Sequence, residues 1–246
     1  MAEPPLPPGV RFAKPDDLVR IGMVSLASFI GTDCYDWLWV EPNTYPQDTL
    51  AAEINHWKED MKNGEEIFLV IEDEYDPDEN SKTSAVIDPS QTNWRAPQPG
   101  EKVIVGAMSF TPNTGSDRAD NHAQAPDAVY LRLNPGPMFL ALEWSHSFKL
   151  SRFLEENETR LGFANGFNLE MLVVHPAYHR RGHARTLVKW MQDLARIDQV
   201  TVYVAADGKA DKFYARVGFQ IMERHWVPGD EIVPLGFRIN MMKWLP

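Results

Sequence analysis

The sequence predicts an α/β fold, in which one mixed, mostly antiparallel sheet carries helices on both faces. Short apolar runs of strand length alternate along the chain with longer segments whose apolar residues recur at helical spacing. This order is typical of a sheet covered by helices, and no internal repeat is present. We therefore expect one domain over residues 10–246, preceded by a flexible, proline-rich arm over residues 1–9.

Helices are predicted where apolar residues recur every three or four positions. Acidic residues near a predicted start, and a glycine at an exit such as Gly64 or Gly218, support the bounds. The predicted helices cover residues 18–30, 48–63, 138–160, 187–194 and 209–217.

Strands are predicted where short runs are apolar or rich in β-branched residues. Gly106 within one such run indicates a bulge or a close backbone approach. The predicted strands cover residues 10–12, 67–71, 102–110, 169–174, 200–204, 219–223 and 237–245.

Two polar segments interrupt this pattern, over residues 74–101 and 112–137. Both contain prolines and show little hydrophobic periodicity. We interpret them as insertions within the domain, the first being a flexible excursion that joins two antiparallel strands.

The composition is that of a globular protein, with 43% hydrophobic and 24% charged residues. The formal net charge of −11 argues against a nucleic-acid partner and is compatible with a cationic substrate such as an amine, although most acidic proteins are merely soluble.

A single cysteine, Cys34, excludes an intrachain disulfide and favours a reducing compartment. No secretory signal or membrane-spanning run is visible. We expect a cytoplasmic or nuclear protein, monomeric or homodimeric, with no membrane partner.

A strand, a basic turn and a helix follow one another over residues 168–190. In the turn, Gly182 and Ala184 let the backbone approach a ligand, and the first N–H groups of the following helix favour an anion. Basic residues at a helix N-terminus are unfavourable against its dipole by roughly 0.3–1 kcal/mol each. Their clustering indicates an anion site, while a solvated basic helix start is an equally weighted alternative.

Two further motifs carry side chains capable of chemistry. His175, His179 and His183 would suit a metal on a continuous helix, but Pro176 and Gly182 interrupt such a helix, so we expect no metal site. Tyr214 lies near the end of a predicted helix. Its usual pKa near 10 would keep it protonated and able to donate to a leaving thiolate, although a packing role is the simpler interpretation.

Taken together, these motifs resemble the GNAT superfamily of acyl-CoA-dependent N-acetyltransferases. That family's turn signature, Q/R-x-x-G-x-G/A, corresponds to His179-Arg180-Arg181-Gly182-His183-Ala184, and its pattern A-x-x-φ-Y-x-x-x-G-F matches Ala210, Phe213, Tyr214, Gly218 and Phe219. The resemblance is strongest over residues 168–225 and extends by element order to residues 10–245. His179 replaces the usual Gln or Arg, and Asp207 stands where many members carry an asparagine that contacts cofactor or substrate.

The resemblance implies direct transfer of an acetyl group from acetyl-CoA to an amine in a ternary complex. Tyr214 would protonate the leaving coenzyme A. Glu170 is the leading candidate for the base that takes the amine proton, and strand alternation places Leu169 and Met171 on the face opposite to it. An outward, solvated Glu170 is the alternative. The implied cofactor-binding residues are Leu172, Val173, Val174, His179, Arg180, Arg181, Gly182, His183, Ala184, Arg185, Asp207 and Phe213.

The acceptor side is expected from the N-terminal helices, the aromatic segment 35–39 and residues 130–138, with Asp33 and Asp36 as candidates for recruiting a cation. Neither the acceptor nor the acyl length follows from these stretches. Other classes also fit: an O-acetyltransferase or other acyl-CoA transferase, a non-catalytic acyl-CoA-binding module, and a phosphate- or nucleotide-binding module.

Overall fold

A computed structural model describes residues 2–112, 144–231 and 233–246. Within them, the strands are β1 (Val10–Phe12), β2 (Ile67–Glu74), β3 (Lys102–Pro112), β4 (Phe167–Val174), β5 (Val202–Asp207), β6 (Gln220–Val227) and β7 (Phe237–Trp244). The α-helices are α1 (Leu18–Phe29), α2 (Asp33–Leu38), α3 (Pro46–Asn63), α4 (Trp144–Leu161), α5 (His183–Asp198) and α6 (Asp211–Arg216). None of these described helices combines the length and apolarity needed to span a bilayer.

The seven described strands form one sheet in the order β1-β2-β3-β4-β5-β7-β6. Every neighbouring pair is antiparallel except β4 with β5, which is parallel. That parallel pairing joins Phe167–Leu169 only to Val202–Val204. The remainder of β4 therefore has an edge that is open on the side of β5, and the predicted mixed, mostly antiparallel sheet is confirmed.

Helices cover both faces of the sheet, as predicted. On one face, α5 buries the apolar stripe that includes Leu187, Trp190 and Leu194 in the same core as Tyr214 of α6. On the other face, α1 and α3 pack their own apolar residues against β2, β3 and β4. The aromatic Trp37 of α2 stacks on His146 of α4, with ring centroids 4.0 Å apart.

Irregular pairing occurs on both sides of β3. Gly106 pairs with Val174, and a Cβ atom added to Gly106 would lie 2.9 Å from the carbonyl oxygen of Val173, so the predicted close backbone approach is confirmed. A bulge between β2 and β3 lies beside it. A second bulge lies between β3 and β4, at Glu170.

The insertion 74–101 has little regular structure, as predicted, but it is anchored to the domain. A buried Arg20 of α1 donates to both carboxylate oxygens of Glu79, at 2.6 and 2.8 Å, and also to the carbonyl oxygen of Ile104. Tyr178, which follows β4, donates to the same Glu79 carboxylate at 2.8 Å. This excursion is therefore held against α1 and the turn after β4 by a buried ion pair.

Three regions complete the comparison with the predicted elements. Residues 33–38 form helix α2, which the sequence pattern did not predict. The arm contacts the domain, since the Trp190 indole donates to the carbonyl oxygen of Pro4, and its flexibility stays a prediction. The insertion 112–137, beyond the end of β3 at Pro112, and the predicted helix start at residue 138 lie outside the described residues.

Candidate active site

The open edge of β4 presents backbone groups toward the gap beside β5. His175 donates its N–H to the carbonyl oxygen of Val105 on β3. Because successive residues of a strand direct their N–H groups to opposite edges, Val173 also faces β3, whereas Leu172 and Val174 face β5. Since β5 pairs with β4 only as far as Leu169, these groups are placed to bond an extended ligand.

The basic turn leads directly from this strand to the N-terminus of α5. Gly182 is the N-cap, with a φ of +94°, and a Cβ atom placed on it would meet nothing within 4 Å. No side chain caps the first N–H groups of α5, and its first turn contains no acidic residue. The helix thus directs unshared N–H groups and its positive dipole end at open space, which suits a phosphate.

The basic side chains of the turn divide into two sets. Arg181 and His183 both contact the carboxylate of Asp73, at 3.0 Å each, so any ligand contact from them would come from backbone N–H groups. Arg181 also lies over the Tyr178 ring. The side chains of Arg180 and Arg185 are exposed and positioned to supply charge.

The three histidines take separate roles. His179 Nε2 lies 2.8 Å from the carbonyl oxygen of Val174 and holds the turn against β4, which gives a physical reason for a histidine at this position. His175 is fully buried, and its burial lowers its pKa to about 4. The predicted break in helical structure is confirmed, since α5 begins only at His183. Among the described residues, no group of His, Cys, Asp and Glu side chains is arranged to hold a metal.

Glu170 is the extra residue of the β4 bulge. Ser109 pairs with Met171 and Phe110 with Leu169, so Glu170 has no partner on β3. Leu169 packs in the core under α5, whereas Met171 packs against the core under α1 and α3. The prediction that these two residues share a face is therefore wrong, because the bulge interrupts the alternation.

The Glu170 carboxylate is held in a polar surround. It accepts hydrogen bonds from the Thr111 hydroxyl at 3.0 Å and from the Asn168 amide at 2.8 Å. The side chain reaches the surface, but the enclosing protein desolvates its carboxylate. This desolvation, together with the charge of Glu158, raises the pKa of Glu170 to about 7. A carboxylate with this pKa changes its protonation state near neutral pH.

Tyr214 lies on α6, on the other face of the sheet from α1. Its ring packs edge-on against Phe213 and Phe219, with centroid distances of 5.1 and 5.3 Å. Its side chain shares the core that contains Val174. Burial raises the pKa of Tyr214 above its usual value, so the phenol is protonated at neutral pH.

The remaining predicted site residues are engaged locally. Asp207 accepts the N–H of Lys209 at 2.7 Å and begins the turn before α6. Asp33 pairs with the Lys209 ammonium at 2.8 Å, and Asp36 accepts the N–H of Gly31 at 2.8 Å. Both candidate cation-recruiting carboxylates therefore already have partners within the chain.

Sequence reasoning missed the polar side chains around Glu170. Ser109 and Thr111 were the available signal, because polar residues at alternate positions mark one face of an otherwise apolar strand. Whether these side chains lie near Glu170 depends on sheet register and on helix packing. The missed residues are Asp60, Glu66, Ser109, Thr111, Glu158 and Asn168.

Comparison with known proteins matches residues 150–221 to the model of the acetyltransferase (GNAT) domain. An acetyltransferase of Stachybotrys chartarum is 22% identical over 241 residues, covering 92% of this chain and 87% of that protein.

Two solved structures share the fold. A mosquito arylalkylamine N-acetyltransferase-like protein superposes with a TM-score of 0.53 at 14% identity, over 96% of this chain and 99% of its own. A structure described as histone acetyltransferase HPA2 and related acetyltransferase, from Corynebacterium glutamicum, gives a TM-score of 0.51 at 16% identity, over 96% and 95% of the two chains. Residues 150–221 thus match the GNAT acetyltransferase domain, the family that the two motifs resemble.

Proposed function

We propose that this protein transfers the acetyl group of acetyl-CoA to a primary amine by direct attack in a ternary complex. The observation that carries the proposal is the position of Glu170, which lies at the β4 bulge beside the open strand edge. A carboxylate whose pKa is raised to about 7 is half deprotonated near neutral pH and can accept the proton of an attacking ammonium.

Acetyl-CoA fits the two features next to Glu170. The N–H groups of Leu172 and Val174 face the gap beside β5 and would bond the pantetheine amides as a neighbouring strand does. The uncapped N-terminus of α5 at Gly182 would hold the pyrophosphate, with Arg180 and Arg185 adding charge.

The reaction removes two protons from the acceptor ammonium and supplies one to the leaving thiolate. Glu170 takes the first proton, directly or through water, and the neutral nitrogen then forms a bond to the acetyl carbonyl carbon. The carbon–sulfur bond breaks, and Tyr214 donates its phenolic proton to the departing thiolate. The nitrogen, which is positively charged after attack, releases its second proton, which restores the Tyr214 phenol directly or through water. A backbone N–H in the stretch from Leu172 to Val174 would stabilise the developing negative charge on the carbonyl oxygen.

The pKa of Glu170 favours an amine over an alcohol as the acceptor. An aliphatic alcohol holds its proton far more strongly than an ammonium ion does, so a carboxylate with a pKa of about 7 is a better match for the ammonium. O-acetylation and a non-catalytic acyl-CoA-binding role are the competing functions, and both would leave amines unmodified.

Two measurements test the proposal. Acetyl-CoA at about a hundredfold excess over its Kd should stabilise the fold by about 2.7 kcal/mol and raise the melting temperature. An unchanged melting temperature would contradict the cofactor assignment. A panel of alkylamines, amino acids, aminosugars, arylamines and peptides, with products identified by mass spectrometry, should reveal an acetylated amine. Acetylation of alcohols alone would replace the amine with an alcohol acceptor.

A further inference from the structure

Four carboxylates converge on the side of the sheet that carries α1 and α3, and we name them the acidic cluster: Asp60, Glu66, Glu158 and Glu170. They come from α3, from the residue before β2, from α4 and from the bulge of β4. The charges of Asp60 and Glu170 both act on Glu66, and the charges of Glu158 and Asp60 both act on Glu170. Charge interactions therefore link these four groups, although they are distant in sequence.

Register explains how the cluster is assembled. Ile67 pairs with Phe110, and Phe110 pairs with Leu169, so the residues beside them meet across three strands. One end of the sheet therefore carries three polar side chains: Glu66, which precedes β2, Thr111 on β3 and Asn168 on β4.

Buried oxygen atoms at this end have no hydrogen-bond partner among the described residues. They are Oε2 of Glu66, Oγ of Ser109 and Oδ1 of Asn168. Ser109 and Asn168 are only 1% and 5% exposed, and Ser109 interacts with the carboxylate of Glu66. The two acceptor-only oxygens, Oε2 of Glu66 and Oδ1 of Asn168, require N–H or O–H donors. An ammonium group supplies three such donors and a positive charge.

The charge of the cluster is poorly compensated within the described chain. Among the described residues, the Nε2 atom of His56 lies 3.4 Å from the carboxylate of Asp60. By contrast, the charge of the buried Glu79 carboxylate is compensated by an ion pair with the guanidinium of Arg20. Desolvation, together with repulsion from Asp60 and Glu170, raises the pKa of Glu66 to about 8. Such a rise is typical of a buried carboxylate that has no cation to compensate its charge.

We propose that the acidic cluster binds a second positive charge on the acceptor, so that the preferred substrate is a diamine or polyamine. One ammonium would lose its proton to Glu170, while another would bind Glu66, Asp60 and Glu158. This inference rests on the proposed amine acetylation, because it names the acceptor class of the same site.

The decisive experiment compares putrescine with butylamine, which has the same carbon chain and one ammonium fewer. Steady-state kcat/KM should favour putrescine by about tenfold or more, since a charge-assisted hydrogen bond is among the stronger polar contacts. Calorimetry with coenzyme A present should show putrescine binding more tightly than butylamine by a similar factor.

Two variants locate the effect. Glu66→Gln should lower the putrescine-to-butylamine ratio of kcat/KM by about tenfold. Glu59→Gln is the matched control, because Glu59 lies on α3 but is exposed and pairs with Lys62. Its ratio should equal that of the wild type. Retained acetyl-CoA affinity in both variants shows that they are folded.

The pH dependence provides a second readout. The groups that act on Glu66 are the Ser109 hydroxyl and the charges of Asp60, Glu170 and His56. As pH rises toward and above 8, the carboxylates lose protons while putrescine stays charged, so its Kd should decrease. The Kd of butylamine should change less.

Equal affinity and equal kcat/KM for putrescine and butylamine would overturn the polyamine proposal and leave amine acetylation intact. A preference for a peptide N-terminus that carries no second cation would also overturn the polyamine proposal and leave amine acetylation intact. If putrescine binds selectively but no amine is acetylated, the subsite stands and the proposed reaction is wrong.

Discussion

At its C-terminal end, β4 runs directly into the turn and helix of the proposed anion site. Near its N-terminal end, Glu170 accepts hydrogen bonds from Thr111 of β3 and Asn168 of β4 and interacts with charges on α3 and α4. The first site consists mainly of backbone N–H groups, with Gly182 leaving room for a ligand. The second consists of side chains and carries negative charge. In the proposed function, one strand thus joins the site for the anionic cofactor to the site for the cationic acceptor.

This difference determines how each end responds to mutation. Backbone N–H groups survive most substitutions, so the anion site should be sensitive mainly to backbone conformation and to added negative charge. Carboxylates and amides are lost with their side chains, so the acceptor site should be sensitive to single isosteric changes. The following predictions separate the two ends.

Replacement of the proposed base should have the largest effect on turnover. Glu170→Gln keeps the size of the side chain and removes its proton-accepting capacity, so kcat/KM should fall by about 10²–10⁴-fold. The wild-type profile should rise through the pKa of about 7 as the carboxylate deprotonates, and the variant should lack this inflection. Steady-state rates measured across the neutral pH range check both expectations.

The control for this variant is Glu156→Gln on α4. Glu156 is exposed and pairs with Arg152 at 2.7 Å, away from the bulge. Its profile should match the wild type. A Glu170→Gln enzyme that retained the inflection would place the base elsewhere.

An added charge at the turn should act on acetyl-CoA binding. Gly182→Asp places a carboxylate at the open N-terminus of α5, where it would repel the pyrophosphate and occupy the N–H groups as a cap. The acetyl-CoA Kd should rise by about a hundredfold, a change of about 2.7 kcal/mol. Gly182→Asn has the same shape and also tolerates the positive φ, so it should cost less affinity. Equal losses in both variants would assign the effect to backbone strain at +94°.

The anion end was predictable because its parts are contiguous. Strand, turn and helix lie within residues 168–190, and the structure places β4, Gly182 and α5 in that order. Local rules for helix starts and glycine conformations act over only a few residues, so a single sequence carries them. The same holds for the helix exit at Gly64, which adopts a left-handed conformation with φ +69°.

The acceptor end was not predictable to the same degree. The sequence shows Glu170 as a polar break in an apolar strand, but its neighbours depend on which strands pair and on the bulge opposite Ser109. Register is a tertiary property, and a one-residue irregularity changes the face that a side chain occupies. Helix α2 was missed for a related reason: aromatic residues are weak helix formers, and Trp37 is stabilised by packing on His146 and Phe237.

Loss of the proposed acid should have an intermediate effect. Tyr214→Phe keeps the ring contacts with Phe213 and Phe219 and removes the phenolic proton, so kcat should fall by about 10–100-fold with acetyl-CoA affinity near normal. Tyr203→Phe is the matched control, because Tyr203 stacks on Phe163 in a different core. Rapid-mixing measurement of coenzyme A release compares the two. Unaltered kcat in Tyr214→Phe would remove Tyr214 from the acid role.

The smallest expected effect tests how the acceptor end tunes its base. The negative charge of Glu158 helps to raise the pKa of Glu170, so Glu158→Gln should let that pKa fall. A lower pKa leaves more of the base deprotonated on the acid side, and the acid limb of the kcat/KM profile should move to lower pH. The change in kcat/KM near pH 6 should be less than about tenfold, which corresponds to under one pKa unit. Glu155→Gln, an exposed neighbour on α4, should leave the limb in place. A limb that moved equally in both variants would reflect the general negative charge of α4, whereas movement in Glu158→Gln alone would tie the tuning of Glu170 to a specific neighbour.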